Sequence, residues 1–174
     1  MKKNNGLLKK RSALLRSLLI VMIALPLTQC GKDDILSRLE NSIKMNGKDF
    51  LIVSASMLGV SIEDSGHTAI SLVSGNATQV NTLTVDVESF TQASIQGEYA
   101  YPEESGKKRL DGWLTNYSVF DGTNMHSSNL ESGEVSIALN SGNNYRIDIN
   151  LTMVDGVTFT GTYSGEFQVA FHNQ

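Results

Sequence analysis

Several residues in this chain are of types that could carry chemistry. Asp86 and Glu88 stand two apart in an alternating stretch and so share one strand face. A carboxylate pair on one face is what glycoside hydrolysis uses, one group as acid and the other as base or nucleophile. Charges that alternate with apolar residues are also what any strand with a wet face shows, and this reading is preferred. His67, His126 and His172 could ligate a metal, but the sequence puts them in a turn, a polar loop and the C-terminal tail. None has a carboxylate or second histidine at ligand spacing, so each is assigned to the surface. Asp111-Gly112, Asp121-Gly122 and Asp155-Gly156 lack the repeated acidic spacing of calcium loops and read as turns. Phosphate loops, nucleophile elbows and zinc-binding helices are missing from the sequence. No catalytic residue, metal ligand or cofactor is therefore assigned, and the chain is expected not to be an enzyme.

The remaining set is aromatic: Tyr99, Tyr101, Trp113 and Tyr117 fall on two expected strands, spaced so that each pair shares a face. On an open face they would form a platform for a sugar ring or a partner side chain. In the core they would supply packing, and the single tryptophan favours that alternative. Under the core reading Trp113→Ala costs about 3–5 kcal/mol.

The elements that must position these residues are strands. Fifteen glycines, two prolines and many Thr, Ser, Val and Ile describe strands joined by tight turns. Asn46-Gly47 predicts a two-residue hairpin with Ile43 opposite Phe50 and Lys44 opposite Asp49. Phe50 to Leu58 reads as a strand buried on both sides or running under a neighbour, broken by Gly59. A hairpin is expected at Asp64-Ser65-Gly66-His67, and Thr82 to Phe90 alternates with Leu83, Val85 and Val87 inward. Gly97 to Tyr101 and Leu110 to Phe120 are two further expected strands around a charged loop, whose Lys107-Lys108-Arg109 balances nearby acids.

The C-terminal third fixes its own register. Tyr145, Ile147, Ile149, Leu151 and Met153 alternate with polar residues, and Val157 to Phe171 does so as one long strand. A three-residue loop Val154-Asp155-Gly156 matches apolar with apolar: Met153 with Val157, Leu151 with Phe159, Ile147 with Tyr163. Gly156 then takes the left-handed position. Gly161 and Gly165 let the final strand bend or another backbone approach. Val135, Ile137 and Leu139 pair with Ile149, Ile147 and Tyr145 about a loop centred on Gly142, completing a meander. The expected fold is all-β, an antiparallel β-sandwich or a partly closed barrel.

The N-terminal residues carry a different kind of information. Lys2, Lys3, Lys9, Lys10, Arg11 and Arg16 precede an apolar run, Leu18 to Leu27, too short to span a bilayer, which takes about 20 residues. Leu27-Thr28-Gln29-Cys30 resembles the lipobox of bacterial lipoproteins, with Gln29 where a small residue is usual. The resemblance implies a signal peptide over 1–29, acylation of Cys30, the only cysteine, and a tether over 30–41 leading to a single β domain over 42–174. Two or three acyl chains anchor a protein stably where one does not. Asp34 to Ile43 could close the tether as a short helix or run extended. Lys32-Asp33-Asp34 resembles the export signal of surface lipoproteins in Bacteroidota, implying an outer-membrane protein that faces outward; the periplasmic face is the alternative. Removing the leader with its six basic residues leaves eight against 18 acidic ones, a charge near −10 that argues against nucleic acid. Asn46-Gly47-Lys48, Gly97-Glu98-Tyr99 and Gly161-Thr162-Tyr163-Ser164-Gly165 resemble turns and strands of small Bacteroidota lipoproteins built as one β-sandwich. That likeness implies a fold and an address without an activity. The expected partners are the membrane, through Cys30, and a glycan or protein; a structural accessory subunit of an outer-membrane assembly is the alternative.

Overall fold

The computed structural model describes residues 40–62, 65–75 and 78–173. The leader, Cys30 and the Lys32-Asp33-Asp34 stretch lie outside the described residues. Thirteen strands follow one another: β1 (Glu40–Asn41), β2 (Lys44–Met45), β3 (Lys48–Asp49), β4 (Ile52–Ile62), β5 (Ser65–Gly75), β6 (Val80–Val87) and β7 (Gly97–Tyr101), then β8 (Lys108–Arg109), β9 (Asn116–Phe120), β10 (Met125–Ser141), β11 (Asn144–Met153), β12 (Thr158–Glu166) and β13 (Gln168–Asn173). There is no helix among the described residues. The strands make one large, mostly antiparallel sheet in the order β13-β4-β5-β6-β9-β10-β11-β12-β2-β3, which is not closed into a barrel. The fold is sandwich-like and all-β.

One strand joins the two halves. Met125 to Asn129 of β10 pair with β9, and Gly133 to Ile137 pair with β7 along the same edge, while the other edge holds β11. Between β9 and β7 this edge is left to the irregular segment 110–115, where Leu130 N–H donates to the Thr115 carbonyl. That fork is where the candidate site lies.

Turn chemistry sets the register as expected. Asn46 and Gly47 both have positive φ, 50° and 77°, Lys44 pairs with Asp49, and Phe50 N–H donates to Ile43 O at 2.8 Å. Leu151 pairs with Phe159, Ile147 with Tyr163 and Thr152 with Thr158; Met153 N–H reaches Val157 O at 2.8 Å, and Gly156 has φ +84°. Val135, Ile137 and Leu139 pair with Ile149, Ile147 and Tyr145. At Gly161, with φ +123°, a Cβ would sit 2.4 Å from the Ser42 carbonyl oxygen: the missing side chain admits the backbone that leads into β2.

The core lies between the halves. Phe159 meets Phe50 and Tyr117 edge to face, at 5.4 and 5.1 Å between ring centroids. Ile70, Leu72, Leu83 and Val85 face it from one half, and Ile147, Leu151 and Met153 from the other. Fully burying one such aliphatic or aromatic side chain is worth about 1.5–3 kcal/mol.

Three expectations about strands are corrected. The Phe50–Leu58 stretch is not covered on both sides: a bulge between Ile52 and Ser54 leaves Leu51 and Val53 at 65% and 68% exposure. An inserted residue shifts the alternation, so Phe50 and Ile52 face the core before it and Ala55 and Met57 after it. Gly59 does not end the strand; it continues in β4, where a Cβ would lie 2.2 Å from the Phe171 ring. The expected final strand is two strands: β12 stays with β11, and after buried Phe167, whose N–H donates to Asn143 O, β13 pairs parallel with β4. The inward alternation continues across this break, which is why it reads as one strand. At the start, the choice for Asp34 to Ile43 between a short helix and an extended run falls to the extended form over Glu40 to Ile43, where Glu40 and Asn41 pair with β12; residues 34–39 lie outside the described residues.

Candidate functional site

The four aromatic residues do not form a platform. Tyr99 is fully buried, its hydroxyl donating to Ile95 O at 2.7 Å with Lys108 Nζ 5.4 Å from the ring centre, and burial pushes its phenol pKa up. Tyr117 is also core, packed on Phe159, its hydroxyl donating to Asn81 Oδ1 at 2.9 Å. Tyr101 is half-buried. Trp113 alone is open, at 79% exposure. It sits in a turn and not in the strand expected from Leu110, because β9 begins only at Asn116. The core assignment of Trp113 is therefore wrong.

That turn is built closely. Asp111 Oδ1 accepts the backbone N–H groups of Trp113 and Leu114, both at 2.8 Å, and Thr115 N–H donates to Asp111 O at 2.9 Å. The ring of Tyr101 supports Gly112 from below. The side of Trp113 is thus presented on a fixed backbone next to Leu114, itself 44% exposed.

Asp86 is not on a wet face. Alternation places it outward with Thr84, yet it is 5% exposed, because segment 110–115 runs alongside it. Asp111 N–H donates to Asp86 O, and Asp86 N–H donates to Thr115 Oγ1 at 3.0 Å. His67 is not in a turn: β4 and β5 pair as far as Ile62 and Ser65, so His67 is a strand residue opposite Val60. Its Nδ1 lies 2.7 Å from Asp86 Oδ1. One ligand atom from each of His67, Asp86 and Asp111 falls within 4.8 Å of the others. Desolvation raises the pKa of Asp86; the hydrogen bond and charge of His67 oppose this, and Asp111 and Glu88 reinforce it.

Glu88, the other half of the carboxylate pair, turns instead to Arg109, at 3.4 Å. The basic cluster beside it is occupied: Lys107 Nζ lies 2.9 Å from both Glu104 and Glu134, and Lys108 Nζ donates to the carbonyls of Ser94 and Gln96. Asp121 and Asp155 cap turns, as expected of Asp-Gly pairs; Asp121 Oδ1 accepts from Thr123 and Asn124, and these bonds hold its carboxyl below the usual range. His126 and His172 are exposed strand residues of β10 and β13.

Sequence reading missed the His67–Asp86–Asp111 grouping. Its members lie 19 and 25 positions apart on three elements, and the one available signal was Asp86 itself, an acid set between Val85 and Val87. No family model matches the chain, and no curated protein or solved structure matches it either.

Proposed function

We propose that this chain is a lipid-anchored outer-membrane protein, held through Cys30 and carrying Lys32-Asp33-Asp34 as a surface-export signal, whose β domain binds a glycan or a protein without catalysis. The observation that carries the binding role is Trp113, the only tryptophan, 79% exposed on a turn fixed by Asp111, Gly112 and Tyr101. A large aromatic on a rigid backbone contributes contact area at low entropic cost, which is why tryptophan is enriched where partners bind tightly. The acidic mature chain and the short apolar run before a lone cysteine support the address.

The address and the role are tested together on intact cells. Added protease is expected to digest the wild type from outside, and Cys30→Ala to release it from the membrane. A glycan array and cross-linked co-purification are then run on wild type and Trp113→Ala. Loss of a captured ligand in the variant supports the reading; a ligand retained equally by both removes Trp113 from it.

A second reading, the accessory subunit of an outer-membrane assembly, is favoured by one row of residues. Val80, Phe120 and Met125 are paired neighbours on β6, β9 and β10, so they point to the same side, and their exposures reach 71% at Met125. Under this reading Phe120→Asp, and not Trp113→Ala, frees the chain from its partner.

A further inference from the structure

We propose that His67, Asp86 and Asp111 bind one divalent transition-metal ion of the zinc class. The donor set is one imidazole nitrogen and two carboxylates, which suits zinc and its neighbours; calcium and magnesium, which prefer oxygen alone, fit it poorly. The donors come from β5, β6 and the turn after β8, so the sheet itself brings them together. Their atoms lie within 4.8 Å of one another. Ligands held at about 2.0–2.2 Å from one tetrahedral ion are roughly 3.4 Å apart, so the wider pairs must draw in by up to about 1.4 Å, while His67 Nδ1 and Asp86 Oδ1, now 2.7 Å apart, must separate by about 0.7 Å. His67 and Asp111 are both partly exposed and can make that adjustment in their side chains.

Two independent features point to a cation. Asp86 is a carboxylate whose side chain is 7% exposed, and the side chain bonded to it is His67. A carboxylate set this deep is costly to ionise, and a bound cation offsets that cost. The surrounding charge is also unbalanced: Asp86 and Asp111 share one histidine, while Arg109 is directed at Glu88 and Glu103. The Asp111 carboxylate is held in place beforehand through Oδ1, which leaves Oδ2 for the ion. His67 donates its Nδ1 lone pair in the tautomer that keeps the proton on Nε2, so that the ion takes the place of the proton now between Nδ1 and Asp86 Oδ1. The partly open rim at His67 leaves a fourth position for water or a ligand atom.

Trp113, two residues beyond Asp111, gives the test a built-in reporter, since Co²⁺ bound nearby quenches indole fluorescence. The full chain, purified in detergent, is titrated with Co²⁺ and then with Zn²⁺. The expected result is saturable quenching at one Co²⁺ per chain, reversed by Zn²⁺. His67→Gln and Asp111→Asn should each weaken it by at least about tenfold. Asp111→Asn is the decisive variant, because the asparagine Oδ1 still accepts from Trp113 and Leu114 and the turn is kept. Absence of saturable quenching in the wild type overturns the proposal. So does equal binding in the variants, which would assign the metal to exposed histidines such as His126 or His172.

Discussion

Gly112 lies on the ring of Tyr101 so closely that a Cβ added to it would come within 2.4 Å of the Tyr101 Cζ atom. The turn that presents Trp113 and positions Asp111 therefore rests on an aromatic ring, and glycine is the residue that permits it. Gly112→Ala is expected to destabilise the protein by roughly 1 to 3 kcal/mol, toward the low end because the outer end of the ring can yield. Thermal melts of a double-mutant cycle with Tyr101→Ala check this. The glycine substitution should cost much less once the ring is gone, and additive effects would sink the account.

Trp113 and Phe159 should behave as opposites. Trp113→Ala removes an exposed side chain and should leave the unfolding free energy within about 0.5 kcal/mol of wild type. Phe159→Ala opens a cavity among Phe50, Tyr117 and the core aliphatics and should cost about 3–5 kcal/mol. Urea unfolding of both variants makes the comparison in a single experiment.

Asp148 gives a dependence on pH. Burial alone would raise its pKa, but Arg146 and the Thr162 hydroxyl outweigh this and hold the carboxyl below its usual range. A depressed folded-state pKa contributes stability that is present above the unfolded value, about 3.9, and is lost as pH falls through the folded value. Asp148→Asn should therefore melt below wild type at neutral pH, and the gap should close as the pH drops below about 4. The side chain is 43% exposed, so the gap stays under about 1 kcal/mol and shrinks with added salt.

Gly161 joins a positive φ to a close backbone approach, and both features oppose a side chain. Gly161→Ala is expected to cost about 1–3 kcal/mol and to loosen β1 and β2 from β12. Hydrogen exchange should show the amides of Ser42 and Asn46, which bond to Thr162 and Thr158, losing protection before those of β11. Uniform loss across the sheet would contradict a local role.

What the sequence revealed and what it concealed follow from one physical distinction. Period-two alternation and turn chemistry are local, so the pairing of Leu151 with Phe159 and the Asn46-Gly47 hairpin could be worked out from neighbouring residues alone. Alternation also says which residues share a face, but not what covers that face. Trp113 follows the parity of Thr115 and Tyr117, both buried, and is itself open because the chain leaves the strand before reaching it. Asp86 follows the parity of exposed positions and is buried because segment 110–115 returns beside it. The candidate site depends wholly on such covering, and so His67 was assigned to a turn and its carboxylate partners to separate roles.

The pairing of β13 with β4 constrains the order in which this protein can mature. β4 has β5 on one side as soon as their hairpin forms, but its other edge receives a partner only from residues 168–173, more than a hundred positions later. Until then the Gly59 notch is unfilled, and a long strand offers unpaired N–H and C=O groups to any extended chain nearby. Contacts this distant in sequence form slowly. A chain growing from its N-terminus must therefore carry an open, sticky edge through nearly all of its synthesis, and any helper protein that guards it should recognise β4 and let go when Phe171 docks.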